Sequence, residues 1–589
     1  MLVALLLACA AHAEFVPAPQ TSTAPIAVVF PPEGFVYPTM EHAWLIGRAD
    51  PKGRFQIDGE TVAVEDDGAY MAWLPVSTGA FAFHASLSLG ASVYSYVRNV
   101  TVTPQPVALP KRPVAFDPQF LSPAQDEQLR AGDWLKVRAR VSPGAVPQFR
   151  LASGSWRPMR AVDSELGLFE GAYLVRPQDR SPPEPIHFRA GSWFHRAYAE
   201  STGKVEVVQD SPRVAVVRGD EPRLLRVEPG EGYLLPVLEG SRLLIGGHRG
   251  QEARALLPGG QVGWIEESAL KYLPPGAAPP HAVTGVVSVK AEKDGSVVQV
   301  ELGDRVPFSI EESADLSSLT LLLDYTSPHT NWIVYDQADD FLDQITVSQR
   351  AENLTALTIH LKPGKRLWGY WTSFEGDALR LELRRPPHVA ARGSPLAGIR
   401  VFLDPGHMPS APGAIGPLGV KEMDVNYAIA RQAAELLRRE GAIALLSRSN
   451  PDDEVSLVER PRLALEQKAD VLVSIHNNFL SPEADPFHGQ PHGYSVFYYY
   501  PHSLRLAQDI YAAYQRDVPL PGEDLRFGDL LVCRLSAMPA VLTESAYLSY
   551  PRQERLLLKP DFRETIARAV VDGLRAYFQR FREKSPEAR

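Results

Sequence analysis

The chain has 589 residues, 52 of them proline and 43 glycine, which is too long for one hydrophobic core and predicts four or five domains with many turns. Its formal net charge is −10 and it has no long basic run, which argues against nucleic acid as a partner. Beyond the N-terminus no apolar run is long enough to span a bilayer, so no transmembrane helix is expected.

The N-terminus has the features of an export signal. A short apolar run ends in an A-x-A cleavage pattern at Ala13, so residues 1–13 are predicted to be a signal peptide. The Leu-Leu-Ala-Cys sequence that ends at Cys9 is also typical of a lipid-attachment signal, and a lipid anchor at Cys9 stays an alternative. If cleavage follows Ala13, Cys533 is the only cysteine left and no intramolecular disulfide can form. Both routes predict export to the periplasm, the cell envelope or the exterior.

The first two domains are predicted to be rich in β-strands. Between 25 and 105, short alternating runs are separated by turn signals at Asp58-Gly59 and Asp67-Gly68, which are typical of hairpins. This stretch resembles an immunoglobulin-like β-sandwich. Residues 106–206 contain a comparable alternation over 134–141 and are predicted to form a second β-rich domain.

Two further β domains are predicted before residue 390. Residues 211–273 alternate short strands with glycines and resemble a small Src-homology-type β-barrel. The proline-rich segment 274–280 has the composition of an extended linker. Residues 283–385 are again rich in strands, and a proline pair at 386–387 closes them.

The pattern changes in the last third of the chain, over residues 397–580. Short apolar runs at 399–403, 469–475 and 540–543 have the composition of buried parallel strands, and stretches with helical spacing lie between and after them. This alternation predicts a C-terminal α/β domain with a mostly parallel sheet flanked by helices. In such a fold, ligands bind beyond the carboxyl ends of the strands.

Four polar residues, His407, Glu422, His476 and Glu544, stand at or near the ends of these apolar runs or at the start of a helix. Two histidines and a carboxylate can hold a zinc ion with one position open for water, and a second carboxylate can act as the general base. Taken singly, the two histidines and Glu422 have simpler explanations. A histidine at a strand end is commonly structural, and a carboxylate in a first helical turn is favoured by the helix dipole. Glu544 is harder to explain in this way, because an unpaired charge at the end of an apolar strand is costly to bury.

Several sequence blocks, in this order, resemble the zinc-dependent N-acetylmuramoyl-L-alanine amidases of bacterial cell-wall turnover. They include Asp-Pro-Gly-His at 404–407, Glu-x-Asp-Val-Asn at 422–426, Ser-x-His-x-Asn at 474–478 and Met-Pro-Ala-Val-Leu-x-Glu at 538–544. The resemblance implies that His407, Glu422 and His476 are zinc ligands, with one Zn²⁺ per catalytic domain, and that Glu544 is the catalytic acid/base. It also implies that 283–385 is similar to the AMIN domain that often precedes such amidases.

The sequence departs from the family pattern in places, and other candidate residues follow from the same comparison. Met408 and Pro409 replace the usual glycine pair, and Pro409 stiffens the loop that follows the first histidine. Asn478 is a candidate for substrate binding or for orienting a metal ligand, with capping of the strand end as the alternative. Arg526 is a candidate contact for a stem-peptide carboxylate, with a surface salt bridge as the alternative.

The sequence therefore predicts an exported hydrolase that cleaves the amide bond between N-acetylmuramic acid and the L-alanine of the stem peptide in peptidoglycan. Two alternatives stay open, an inactive peptidoglycan-binding scaffold and another zinc peptidase. The upstream β domains are expected to hold the enzyme on the envelope, and the fragment from Ser394 onward is expected to fold alone. No activator protein can be named from the sequence.

Overall fold

The structure is a computed structural model that describes residues 24–104, 107–192, 195–219, 223–489 and 492–582. The chain divides into two compact units, one made of Met1–Pro104 with Pro386–Arg589 and the other of Gln105–Arg385. The predicted signal peptide and the lipid-anchor site at Cys9 lie outside the described residues. Within the described ranges, every helix is too short or too polar to cross a membrane.

The N-terminal part of the first unit is a sandwich of two β-sheets. Its strands are β1 Ile26–Phe30, β2 Phe35–Tyr37, β3 His42–Ala49, β4 Arg54–Ile57, β5 Glu60–Thr61, β6 Ala69–Pro75, β7 Gly79–Leu89 and β8 Ser92–Val102. One sheet has the order β1-β3-β6 and the other β2-β8-β7-β4-β5. Asp58 and Gly59 both have positive φ, 51° and 84°, as the predicted two-residue hairpin requires. Alternate residues of both sheets form the core between them, including Tyr37, Phe55 and Leu87.

The second unit begins with strands from two of the predicted domains. They are β9 Glu127–Leu129, β10 Trp134–Arg140, β11 Gln148–Arg150, β12 Arg157–Pro158, β13 Arg160–Asp163, β14 Leu168–Leu174, β15 Ser181–Ser192, β16 His195–Val207, β17 Arg213–Val217, β18 Arg223–Arg226, β19 Tyr233–Val237, β20 Arg242–Arg249, β21 Glu252–Leu256, β22 Val262–Glu266 and β23 Leu270–Tyr272. β9 pairs with both β16 and β20. The segments 106–206 and 211–273 are therefore joined through one twelve-stranded sheet.

The rest of the second unit is also built of strands. These are β24 Ala282–Val283, β25 Val287–Glu292, β26 Gly295–Glu301, β27 Phe308–Glu312, β28 Ser318–Asp324, β29 Thr326–Ser327, β30 Ile333–Tyr335, β31 Leu342–Ala351, β32 Leu354–Leu361, β33 Gly369–Glu375 and β34 Ala378–Arg384. They form a two-stranded, a five-stranded and a four-stranded sheet. Inward-facing residues such as Val298, Leu321 and Leu357 are fully buried, which gives this segment its own apolar core.

The C-terminal part of the first unit is an α/β domain. Its elements are β35 Arg400–Pro405, α1 Glu422–Arg439, β36 Ile443–Leu446, α2 Glu459–Glu466, β37 Val471–Asn478, β38 Tyr494–Tyr498, α3 Pro501–Asp517, β39 Gly522–Phe527, β40 Ala540–Tyr547, α4 Pro551–Leu558 and α5 Pro560–Gln579. The sheet order is β36-β35-β37-β40-β38-β39. Neighbouring strands are parallel except β38 and β40, which are antiparallel. α5 packs against both α1 and α3. The carboxyl ends of β35, β37 and β40 therefore lie side by side.

The N-terminal sandwich and the α/β domain share a small apolar core. Trp44, Ile46 and Met71 of the sandwich are buried against Leu480 and Tyr547. Burial of each large apolar side chain contributes roughly 1.5–3 kcal/mol.

Polar contacts add to this interface. The Trp44 indole N–H donates to the carbonyl of Ser481 at 2.9 Å. At the margin, Arg555 pairs with Glu65 at 3.1 Å and with Asp67 at 2.6 Å. The sandwich is therefore part of the same packed body as the α/β domain, a role that differs from that of a loose tether.

Candidate metal and catalytic site

Three potential metal ligands meet beyond the carboxyl ends of β35 and β37. His407 follows β35 by two residues, Glu422 is the first residue of α1, and His476 lies near the end of β37. The Nε2 atom of His407 is 2.9 Å from Oε2 of Glu422, and the Nδ1 atom of His476 is 3.1 Å from Oε1 of the same carboxylate. One ligand atom from each residue lies within 4.8 Å of the others. The structure thus brings together the three residues that the sequence predicted as ligands.

Two glycines allow this close approach. A Cβ atom on Gly406 would lie 2.1 Å from the His476 ring, and one on Gly413 would lie 2.5 Å from both His407 and Glu422. Any larger residue at either position would displace a ligand. His407 itself has a φ of 69°, a left-handed conformation that is uncommon outside glycine and costs backbone strain. The loop after β35 therefore adopts a strained backbone conformation that places the His407 imidazole among the other candidate ligands.

A buried ion pair fixes the loop that carries His407. Asp404 is fully buried and accepts hydrogen bonds from Ser447, at 2.6 Å, and from Ser474, at 2.8 Å. Arg460, on α2, donates to Asp404 at 2.6 Å and to the backbone carbonyl of His407 at 2.7 Å. Burial disfavours the charged form of Asp404, but Arg460 and the two hydroxyls outweigh it and hold the pKa of the carboxyl below its usual value.

Glu422 is oriented by several donors besides the histidines. The N–H groups of Asn477 and Ala414 donate to its two oxygens at 3.1 and 3.0 Å, and the Asn426 amide donates at 3.2 Å. Asn426 in turn accepts a hydrogen bond from the Asn477 side chain at 2.8 Å. Burial opposes ionisation of Glu422, yet the neighbouring His407 and the other donors keep its pKa lowered. The carboxylate is thus held charged and aimed between the two imidazoles.

Glu544 faces the same centre from the next strand. It is paired in register with His476, where β37 and β40 run in parallel. Its Oε2 atom is buried and, within the part of the chain that the structure describes, has no hydrogen-bond partner. Burial, together with the charges of Glu422 and Glu523, raises the pKa of Glu544. A buried carboxylate with an unpaired oxygen beside a ligand set is arranged to accept a proton.

The donor set fits a metal ion. Two neutral imidazoles and one carboxylate are common ligands of catalytic zinc. Ligand atoms at about 2.1 Å from a tetrahedral ion lie roughly 3.4 Å from one another. The two histidine–carboxylate separations here are 2.9 and 3.1 Å, and all three ligand atoms lie within 4.8 Å of one another. His407, Glu422 and His476 could therefore hold one ion with little rearrangement, and Glu544 would stand beside its open position.

All four residues line one cavity of about 570 Å³. Its wall also includes Asn478, one of the two predicted substrate-binding residues. The Oδ1 atom of Asn478 accepts a hydrogen bond from the N–H of Phe479 at 3.0 Å, a contact of the kind expected from the alternative role, capping of the strand end.

Arg526 is not among the described residues that line this cavity. Its guanidinium lies 3.0 Å from Glu523 and 3.6 Å from Asp524, the salt bridge that was the alternative reading of this residue. Glu523 also accepts hydrogen bonds from the Tyr547 hydroxyl, at 3.2 Å, and from the N–H of Gly493, at 3.1 Å. The Arg526 side chain is itself partly exposed, so it caps a polar cluster around the largely covered Glu523.

Sequence reasoning missed the part of the cavity that comes from the N-terminal sandwich. Val29, Phe30, Pro32 and Phe35, at the end of β1 and the start of β2, line the same cavity as the ligands. These residues have the composition of an ordinary hairpin and carry no catalytic motif. The one feature of the sequence that could have indicated a binding surface is the presence of two aromatic residues, Phe30 and Phe35, on either side of one turn.

Comparisons with known proteins concern this C-terminal region. Residues 401–576 match the family model described as N-acetylmuramoyl-L-alanine amidase. The region is 33% identical over 198 residues to the probable cell wall amidase LytH of Staphylococcus epidermidis, which covers 33% of this chain and 64% of that protein. It is 32% identical over 186 residues to N-acetylmuramoyl-L-alanine amidase LytC of Bacillus subtilis, covering 32% of this chain and 37% of that protein. The chain thus spans less than two thirds of the length of these relatives.

A solved structure also resembles this region. It is that of the N-acetylmuramoyl-L-alanine amidase AmiC2 of Nostoc punctiforme, with 28% sequence identity and a TM-score of 0.29, and the likeness covers 31% of this chain and 99% of that one.

Proposed function

We propose that residues 401–576, which belong by their match to the N-acetylmuramoyl-L-alanine amidase family, form the catalytic domain of an exported peptidoglycan hydrolase. The bond cleaved is the amide between the lactyl group of N-acetylmuramic acid and the L-alanine of the stem peptide. The observation that carries this proposal is the convergence on one cavity of four residues of the matched region, His407, Glu422, His476 and Glu544. The family match suggests the reaction, and the cavity holds the residue types that it needs.

Zinc is the metal that the donor set favours. His407, Glu422 and His476 would hold it, and the single carboxylate would neutralise one of its two charges. When bound, zinc would lower the pKa of a water molecule toward 7 and polarise the scissile carbonyl. Ser447, Ser474 and Arg460 support this arrangement through Asp404, and Asn426 and Asn477 support it through Glu422.

Glu544 is the residue that moves the proton. Its buried Oε2 accepts a proton from the attacking water and then donates that proton to the amine of the departing L-alanine. Among the described residues, none donates a hydrogen bond to this oxygen, so it can accept the proton of the attacking water. Its raised pKa favours the first half of the transfer, because a carboxylate with a higher pKa is a stronger base.

The two alternatives are less well supported. An inactive scaffold has no need for a buried, unpaired carboxylate beside three potential ligands. Another zinc peptidase would be expected to carry a His-x-x-Glu ligand pair, and the three residues after His407 are Met408, Pro409 and Ser410. The β-rich segments of the second unit, including the AMIN-like segment 283–385, are proposed to hold the enzyme on the envelope.

The test is digestion of purified sacculi by the zinc-loaded full-length protein, with mass spectrometry of the products. The expected products are stem peptides with a free N-terminal L-alanine and glycan strands whose muramic acid keeps its lactyl carboxylate. Glu544→Gln should yield neither product, whereas Glu483→Gln, a change at an exposed carboxylate on the loop after β37, should yield both. New termini within the peptide or within the glycan would reject the proposed bond.

A further inference from the structure

The N-terminal sandwich contributes one side of the candidate active site. We define the sandwich wall as Val29, Phe30, Pro32 and Phe35, which line the same cavity as His407, Glu422, His476 and Glu544. The wall is apolar throughout and includes two aromatic rings. It lies on a domain that is more than 370 residues away in the chain from the nearest candidate ligand.

The wall is held in place relative to the ligands. The ring of Phe30 stacks on Trp44 with centroids 4.4 Å apart, and it meets the ring of Phe479 edge-on at 5.5 Å. Phe479 follows β37 directly, three residues after His476. Trp44 is fully buried and is tied to the carbonyl of Ser481 by its indole N–H. The wall therefore moves with the strand that carries a candidate ligand.

Phe35 is an aromatic member of the wall that is only partly buried and, unlike Phe30, is not stacked on Trp44. It is half-buried, and its neighbours Phe30 and Tyr37 contact it edge-on at 5.1 and 4.9 Å. Both neighbours pack against it in T-shaped geometry, which holds the ring in position.

The charges near the wall indicate which part of a substrate it fits. The wall contains no Lys or Arg, and the acidic residue of the same turn, Glu33, is paired with Arg98 at 3.2 Å and with Asn99 at 2.7 Å. An anionic stem peptide would find no cation here to pair with its carboxylates. A neutral N-acetylated sugar has apolar faces and methyl groups that bury well against aromatic rings.

We infer that the sandwich wall, through Phe35, binds the muramic acid residue on the acyl side of the scissile bond, so that the N-terminal sandwich is a specificity-determining part of the active site. This inference rests on the proposed function for the identity of the substrate. It makes the sandwich part of the substrate-binding surface in addition to its role in packing.

The first test compares two substrates in the zinc-loaded full-length protein. One is N-acetylmuramoyl-tripeptide, and the other is the same tripeptide acylated with lactate alone, which lacks the sugar. Phe35→Ala should lower the ratio of kcat/KM between the sugar-bearing and the sugar-free substrate by about tenfold, the scale of one good aromatic contact. Phe35→Trp should restore most of the ratio. The matched control is Tyr94→Ala, which removes an exposed ring from β8 of the same sandwich and should leave the ratio unchanged.

The second test does not depend on hydrolysis. Binding of the disaccharide of N-acetylglucosamine and N-acetylmuramic acid, with its lactyl carboxylate converted to the neutral methylamide, is measured by titration calorimetry. Circular dichroism confirms folding, and metal analysis confirms zinc content. The unchanged protein and Tyr94→Ala should bind it alike, and Phe35→Ala should bind it about tenfold more weakly. If the unchanged protein hydrolyses neither substrate, the proposed function fails, and the disaccharide titration still decides the inference. Equal disaccharide binding by Phe35→Ala and Tyr94→Ala, or no binding by the unchanged protein, would overturn it.

Discussion

Glu544 lies directly opposite His476 in the parallel pairing of β37 and β40, so the candidate base and a candidate ligand are held by backbone register. Glu544→Gln should keep fold and bound zinc but reduce the hydrolysis rate by at least about a hundredfold, since the amide cannot accept the proton. The measurement is turnover of a soluble muropeptide together with zinc content. Glu483→Gln is the control, and near-normal turnover by Glu544→Gln would remove this residue from the mechanism.

The ligand assignment predicts the metal content of single variants. His407→Ala and His476→Ala should each lower bound zinc well below one equivalent per chain, because two protein ligands hold the ion poorly. Elemental analysis after dialysis provides the measurement. His488→Ala is a matched control, since that histidine is 84% exposed and pairs only with Asp485 among the contacts described. Full zinc occupancy in both ligand variants would place the metal elsewhere.

The buried pair of Arg460 and Asp404 predicts a large effect on stability. Their side chains are 4% and 0% exposed, so Arg460→Ala would leave a buried carboxylate without its cation. Such a loss costs about 3–5 kcal/mol. Urea unfolding of the α/β domain can be followed by circular dichroism at 222 nm, because all α-helices of the described residues belong to this domain.

Arg462 on the same helix provides the control for this variant. Its side chain is 48% exposed, and Arg462→Ala should change the unfolding free energy by less than about 1 kcal/mol. Arg460→Ala should also weaken zinc binding, since Arg460 holds the His407 carbonyl. Similar unfolding midpoints for the two variants would mean that the ion pair contributes little.

Glu554 predicts how the stability of the α/β domain depends on pH. Its side chain is buried and accepts hydrogen bonds from the N–H groups of Leu418 and Val420. Burial raises its pKa from 4.5 to about 8. Between these values the folded protein binds more protons than the unfolded chain, so raising the pH lowers the unfolding free energy, by up to about 1.4 kcal/mol per pH unit.

Glu554→Gln should remove this part of the pH dependence and leave a flatter profile between pH 5 and pH 8. Urea unfolding at several pH values, followed at 222 nm, gives the measurement. Glu435→Gln, at a carboxylate that is 53% exposed on α1, should keep the original slope. An unchanged slope in Glu554→Gln would show that this carboxyl ionises normally in the folded protein.

The sequence could predict that the four residues of the candidate site lie close together because most of their positions follow from local rules. Each apolar run is a strand, and parallel strands end on the same edge of the sheet. His407 and His476 lie within two residues of those ends, whereas β40 continues for three residues beyond Glu544, so that the sequence placed the end of this strand too early. No comparable rule gives the direction of a long surface side chain. The sequence therefore could not show that Arg526 pairs with Glu523. The packing of the sandwich against the α/β domain depends on the complementarity of two surfaces. Such complementarity produces no periodic pattern of residues, so the sequence did not reveal it.

The contact between Trp44 and Ser481 spans 437 residues and leads to the last prediction. From the sequence, the fragment 394–589 was expected to fold alone. In the structure, removing the sandwich would expose Phe479, Leu480 and Tyr547, which it covers. At roughly 1.5–3 kcal/mol for each large apolar side chain, the fragment should be less stable than the α/β domain in the full chain by about 3 kcal/mol or more.

This difference can be measured by urea unfolding of the fragment and of the full chain at 222 nm. In the full chain, Trp44→Ala should produce part of the same loss, because it removes the largest side chain of the shared core together with its hydrogen bond to Ser481. Trp134→Ala, at a ring that is 57% exposed on β10 of the other unit, should not alter the transition. If the fragment unfolds at the same urea concentration as the α/β domain of the full chain, the sandwich contributes nothing to the stability of that domain. The ion pairs of Arg555 with Glu65 and Asp67 would then have to hold the sandwich wall in place alone.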